Sequence, residues 1–319
     1  MTTYLTTDTE LTTVADSIRT KGGTSASLEW PTGFVNAISA IPSGGGDDSA
    51  YKAFVARSTN TPTFPNGITE IGNYACYYWS ALTLSSLPDT ITRIGNNAFY
   101  YCTGLTLSSL PDSVTSIGSG AFSGCSGITL SSVPSGVTLL ETSVFYNCTG
   151  LTVFSLPSSV TSISGSAFYN CTGLTTITAS GVVTNLAQAS FNKCTSLVRA
   201  EFPNATLTSC SPVFGSTTPS NACRKLETVD LGNTMSLAAN AFANCYKLQT
   251  LVLRRTSVVT LANVSAFVST PMRGYNSLTG TVYVPNSLIS SYKTANNWKT
   301  LYDNGTVTFA AIEGSEWEL

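Results

Sequence analysis

The feature that most constrains this chain is a period of 23 residues. Phe99, Phe122, Phe145, Phe168, Phe191 and Phe214 follow it, and so do Cys102, Cys125, Cys148, Cys171 and Cys194. Pro65, Pro88, Pro111, Pro134, Pro157 and Pro203 keep the same interval, with Ser180 in the one gap. Thr69, Thr92, Thr115, Thr138, Thr161 and Thr184 add a fourth column in the same register. A unit this short cannot bury an apolar face by itself, but stacked units bury a continuous one. The period therefore predicts a repeat solenoid.

One unit, residues 109–131, carries its apolar side chains at Leu110, Val114, Ile117, Ala121, Phe122, Cys125, Ile128 and Leu130. The spacing predicts an extended piece at Val114–Ile117, a turn permitted by Gly118 and a single helical or 3₁₀ turn over Ala121–Cys125. It also predicts a strand that begins at Ile128–Leu130 and is closed by the next proline. Mainly short parallel β-strands joined by 3₁₀ or short helical turns follow from this. With like positions about 4.8 Å apart, about nine coils make a body on the order of 45 Å long.

Departures from the period are informative too. After Phe214 the phase slips to Phe242, which predicts a loop insertion over 216–223, and Cys223 and Cys245 then resume their column. In the first coil Cys76 stands in the Phe place and Trp79 in the Cys place. Ser85, Ser108 and Ser131 fill the slot held later by Phe154 and Ile177. A slip of one residue exchanges the two faces of a strand, so the early register stays open between two readings.

The form LPxxVTxIGxxAFxxCxxL, over roughly residues 63 to 285, is similar to the bacterial leucine-rich repeats called BspA-like. The resemblance implies a leucine-rich-repeat solenoid with a binding, often adhesive, role and no catalytic residues to carry over.

The ends are not repeat. Leu11, Val14, Ala15 and Ile18 have helical spacing behind Asp8, and the glycines at 22 and 23 end that pattern. Pro31 opens a second apolar segment with Phe34, Val35, Ile38 and Ile41. A small helical hairpin over 1–41 and a Gly-rich linker over 42–48 are predicted, ahead of a solenoid over 49–285. A hairpin of this size folds poorly alone, so it is expected to dock or to form a homo-oligomer. Leu11, Val14, Ile18, Trp30, Phe34 and Ile38 are its candidate attachment residues. The text TTDTELTTVADSIRTKGG, followed by W-P-x-G-F, also resembles tail-associated proteins from phages and prophages of Gram-positive gut bacteria. That resemblance implies virion attachment through residues 1–41 and target recognition by the repeats. At the other end a strand at 279–285, a short helix at 286–298 and a strand at 306–312 are predicted. Residues 286–319 thus form an α/β cap over the last coil.

Composition excludes several functions. Only 10% of residues are charged, against about 25% in an average domain, and the net charge is −2. Fifteen scattered Lys and Arg residues make no phosphate-tracking patch, so nucleic acid is not an expected partner. The absence of histidine removes the commonest general base. Glu70, Asp89, Asp112, Glu141, Glu201 and Asp230 are single and scattered, so no enzyme is expected. The cysteines stack in one column, where a thiol behaves as a small hydrophobe, and a column does not converge on a metal. Neither metal nor cofactor is expected. The first 20 residues lack an apolar signal segment and no span suits a membrane. Synthesis in a bacterial cytoplasm and residence on a virion are the expectation; the alternatives are a cell-surface adhesin in an extracellular setting and a passive virion decoration or spacer protein.

The binding candidates are aromatic. Tyr77, Tyr100, Tyr146 and Tyr169 share the slot after the Phe column, interrupted by Ser123, and Tyr78, Trp79 and Tyr101 sit beside them. Facing outward, they form a rib for a bacterial surface glycan or protein. Facing inward, they merely close the edge of the core.

Overall fold

The computed structural model describes residue 64 and residues 67–319. The predicted hairpin with Leu11, Val14, Ile18, Trp30, Phe34 and Ile38, and the linker after it, lie outside the described residues.

Each coil passes through three lines of structure. The Thr-x-Ile segments give two-residue parallel strands: β1 (Glu70–Ile71), β2 (Arg93–Ile94) and β3 (Ser116–Ile117) in one ladder. β4 (Leu139–Leu140), β6 (Ser162–Ile163) and β8 (Asn185–Leu186) form a second, and β11 (Ser236–Leu237) with β13 (Thr260–Leu261) a third. The Thr column runs beside these strands. Thr92, Thr115, Thr161 and Thr184 each donate both their amide and their hydroxyl to the Thr carbonyl one coil earlier.

The second line carries the Phe and Cys columns, and here the expected helical or 3₁₀ turn over Ala121–Cys125 is absent. Amides alternate between two partners instead. Ala98, Tyr100 and Cys102 donate within their coil to Gly95, Asn97 and Phe99, whereas Asn97, Phe99 and Tyr101 donate to Ser119, Ala121 and Ser123 of the next coil. A helix would spend every amide inside its own coil. Buried amides between stacked coils need partners across the stack, and consecutive tight turns provide them. Around Phe99, Phe145 and Phe168 these turns place left-handed backbone two residues before and two residues after the ring: Asn97 (φ 53°) and Tyr101 (56°), Ser143 (56°) and Asn147 (59°), Ser166 (58°) and Asn170 (60°).

Inside, the Phe rings form one continuous stack from Phe99 to Phe267, with neighbouring centroids 5.3–6.0 Å apart. All nine cysteines are buried thiols. In the column each donates to the Phe-column carbonyl of the preceding coil: Cys125 to Phe99 (2.9 Å), Cys148 to Phe122 (3.0 Å), Cys171 to Phe145 (3.0 Å), and so on to Cys245 with Phe214 (3.6 Å). Cysteine thus fills a small apolar slot and still supplies a donor. Burial raises the Cys125, Cys148, Cys171, Cys223 and Cys245 thiols above their ordinary range, which leaves their nucleophilic thiolates unpopulated near neutral pH.

The third line is a seven-stranded parallel sheet in the order β15-β14-β12-β10-β9-β7-β5. Its strands are β5 (Val153–Leu156), β7 (Thr176–Ala179), β9 (Arg199–Glu201), β10 (Thr228–Asp230), β12 (Thr250–Val252), β14 (Gly280–Val284) and β15 (Val307–Ala311). The sheet starts only at β5, and the strand expected at Ile128–Leu130 is not formed. Leu130 is buried and Ser131 exposed, whereas the corresponding Val153 is 49% exposed and Phe154 fully buried. The early coils therefore sit one residue out of step with the later ones, which settles the open register. Amide pairing follows the step. Thr106 and Thr129 reach carbonyls 22 residues back, at Leu84 and Leu107, while Thr175 reaches 23 back to Thr152.

The insertion after Phe214 is an exposed loop with a 3₁₀ turn at Pro219–Asn221, and Cys223 returns to the thiol ladder by donating to Phe191. The cap contains β14 and β15 with two helices between them. The single helix expected over 286–298 is broken at Asn297 (φ 64°) into α1 (Ile289–Thr294) and α2 (Trp298–Asp303). The break lets Trp298 enter the core, where its indole donates to the Val259 carbonyl at 2.8 Å.

Candidate binding surfaces

The left-handed positions explain the aromatic candidates. A tight turn with positive φ at its third residue points the neighbouring side chains outward along the stack, once per coil. Tyr77 stacks on Tyr100 (centroids 4.8 Å, planes 13° apart) and Tyr78 on Tyr101 (5.1 Å, 13°). Tyr78 meets Tyr100 edge-on at 5.3 Å, so the four rings form one cluster across two coils. Tyr146 stacks on Tyr169 at 5.0 Å with planes 2° apart. Pairs of this kind contribute about 0.5–1.5 kcal/mol each beyond area burial.

Ser123 and Gly124 separate the cluster from the pair, yet they do not break the ridge. Ser123 is buried, and a Cβ on Gly124 (φ 77°) would stand 2.7 Å from Cδ2 of Tyr101. Tyr101 therefore lies across the small residues of the next coil and meets the coil after it, where its hydroxyl accepts from Asn147 Nδ2 at 3.4 Å. Asn170 Nδ2 then donates to Asn147 Oδ1 at 2.6 Å, and Lys193 Nζ stands 5.5 Å from the Tyr169 centroid.

Tyr78 is exposed, and Tyr77, Tyr100, Tyr101, Tyr146 and Tyr169 are half-buried, so the rings both close the core edge and present a face to solvent. Burial, reinforced by the neighbouring phenols Tyr78, Tyr77 and Tyr101, pushes the Tyr100 phenol up to about 12. Trp79 does not belong to this surface. It takes the Cys place of the first coil, points into the core and is only 5% exposed. Tyr74 does belong: it is 51% exposed and packs edge-on against Tyr77 at 5.4 Å. Sequence reasoning missed Tyr74, Asn147, Asn170 and Lys193. The signal was a column of Tyr101, Gly124, Asn147 and Asn170 two places after the Phe, since Gly and Asn recur where φ is positive.

A second surface is the outward face of the sheet. Arg199, Glu201, Asp230, Val252 and Tyr283 lie there, in register across β9, β10, β12 and β14. Residues 312–319 fold back onto it. Trp317 packs with Val252 and Ile312, a cluster distinct from the main core. The Arg199 guanidinium stands 5.2 Å from the Trp317 ring, and Arg254 donates to the Trp317 carbonyl at 2.6 Å. The same Arg254 holds Asp230 Oδ2 with Nε (2.9 Å) and Nη2 (2.6 Å). Burial raises the Asp230 carboxyl, and hydrogen bonds from Arg254 and the Gly232 amide pull it back. Among the described residues no group of three or more Cys, Asp or Glu is arranged to hold a metal ion, and no helix is long and apolar enough to cross a membrane.

Residues 50–173, 115–249 and 220–293 match the family described as BspA type leucine rich repeat region (6 copies). No curated protein matches the chain. Among solved structures, a leucine-rich-repeat protein of T. pallidum is 26% identical, with 56% of this chain and 82% of that one covered and a TM-score of 0.44. A leucine-rich cell surface protein of Faecalibacterium prausnitzii A2-165 is 19% identical (76% and 86% covered, TM-score 0.27). A leucine-rich repeat protein of Bacteroides ovatus is 20% identical (78% and 76%, TM-score 0.31).

Proposed function

The chain belongs to the BspA-type leucine-rich-repeat family, and from that premise we propose that it is a non-enzymatic recognition protein whose tyrosine ridge binds a bacterial surface glycan. The observation that carries this reading is the ridge itself. Tyr74, Tyr77, Tyr78, Tyr100, Tyr101, Tyr146 and Tyr169 offer aromatic faces, and Asn147 and Asn170 offer amides, and from Tyr100 to Asn170 the sequence holds no Lys or Arg. Sugar rings have apolar faces and hydroxyl rims, and a row of aromatic faces bordered by amides suits both. A surface protein is the other target of such a ridge, with the tyrosines as hot spots.

The reading extends to residues 1–41 as the segment that attaches the chain to a phage or prophage tail, and hence to a virion. Support comes from the sequence TTDTELTTVADSIRTKGG. A cell-surface adhesin is the competing placement, supported by the repeat family alone. Proteomics of purified virions separates the two, and particles that still incorporate a chain lacking residues 1–48 remove the attachment role.

The test of the ridge is binding of labelled protein to a panel of Gram-positive gut bacteria and their wall polysaccharides. Strain-selective binding that is lost when Tyr100, Tyr146 and Tyr169 are replaced by Ser supports the proposal. Binding that survives the triple replacement in a folded protein refutes it.

A further inference from the structure

Residues 312–319 occupy a seat built from several strands, and the seat has the features of a peptide site. Arg254 is fixed by Asp230 through two donors and turns its third, Nη1, to a backbone carbonyl. Arg199 is held by Glu201 and lays its guanidinium on an indole. Val252 supplies an apolar floor, and Tyr283 a wall whose ring centroid is 6.1 Å from that of Trp317. Elsewhere the outward face of this sheet carries Val153, Ser155, Thr176 and Thr178, none of them charged. The two anchored arginines, each with a donor or a flat face left for a guest, thus occur where the segment lies.

The guest is held less completely than its host. The solenoid core is continuous without Ile312 and Trp317, which form their own small cluster with Val252. Among the described buried side-chain polar atoms, the Trp317 indole Nε1 is the one without a hydrogen-bond partner. Glu316 and Glu318 flank the tryptophan on the exposed side. A well-furnished host with an imperfectly satisfied guest describes an exchangeable occupant.

We propose that the outward sheet face spanning β9, β10, β12 and β14 recognises a turn-forming segment carrying a tryptophan flanked by acidic residues. The chain's own residues 312–319 occupy that site in cis, and a partner protein bearing such a segment displaces them. This site is separate from the tyrosine ridge and does not depend on it.

The experiment uses the full chain and a fluorescent peptide with the sequence of residues 312–319, read by anisotropy. A covered site weakens apparent affinity by the fraction of molecules in which it is open, so Trp317→Ala should bind the peptide about tenfold or more tighter than wild type. Adding Arg199→Ala to that variant should abolish the gain, and a peptide with Ala at the tryptophan should bind neither protein. A folded Trp317→Ala that fails to bind the peptide overturns the proposal. So does a Trp317→Ala chain that cannot fold, because the segment would then be core rather than occupant. Hydrogen exchange on the wild-type chain gives an independent reading. Residues 313–318 should exchange faster than β14 and β15, and faster still with excess peptide, whereas protection equal to that of β15 overturns the proposal.

Discussion

The coils up to Asn192 and those after it share one core and differ in almost everything outside it. The stack of rings from Phe99 to Phe267 crosses the boundary with no change in spacing. Yet the first region has no Lys or Arg from residue 94 to 192, only Asp112 and Glu141 as acids, and its binding features are tyrosines at the turns. The second carries Lys193, Arg199, Arg224, Lys225, Lys247, Arg254, Arg255 and Arg273, and its features lie on the sheet. The strands also differ, since the seven-stranded sheet begins only at Val153. A solenoid constrains the inward positions of every coil, because each must match its neighbours, and leaves the outward ones free. One repeat can therefore present two unlike surfaces.

The sharpest test of that comparison uses equivalent positions on either side of the register step. Phe154→Ala should cost about 3–5 kcal/mol and Leu130→Ala about 2–5 kcal/mol, as cavities in a packed core do. Val153→Ala and Ser131→Ala, their counterparts in the repeat, should stay within about 0.5 kcal/mol. Urea unfolding midpoints decide it, and equal costs at 130 and 153 would erase the step. A second contrast is electrostatic. Asp230→Ala should cost about 3 kcal/mol, because it strands an arginine whose side chain is only 11% exposed. Glu70→Ala, which frees the more exposed Arg93 near the start of the first region, should cost under about 1 kcal/mol. Thermal melts at low and high salt measure both.

The smallest effect concerns pH. The Tyr100 phenol titrates near 12 when folded, against 10.0 for the free group. The folded chain then keeps a proton that the unfolded chain releases, so this contribution is intact below pH 10 and falls away as pH rises through 12. Phenolate absorbance during alkaline titration should show two late-ionising tyrosines, Tyr100 and the buried Tyr292, and Tyr100→Phe should remove one of the two. A late-ionising fraction that Tyr100→Phe leaves unchanged would mean the ridge is open to water.

Much of the fold was legible because periodicity reports directly on burial. The Phe and Cys columns, the loop before Cys223 and the atypical first coil all follow from counting residues. The turns were misread, because a run such as Ala121–Cys125 suits a helix locally, and only the needs of the neighbouring coil divert every second amide. Trp79 was placed on the surface by its sequence neighbours Tyr77 and Tyr78, although its own column is an inward one. The tail on the sheet left no periodic signal at all, because Arg199, Asp230, Arg254 and Trp317 belong to four separate segments.

By itself, then, the sequence determined the class of fold, the inward columns and the family, because a strict period admits only stacking. The tertiary structure alone decided the early strand register, the left-handed turns that raise the tyrosine ridge and the seat that holds Trp317. Each of these depends on hydrogen bonds or contacts between residues 22 or more positions apart, and no local pattern encodes such partners.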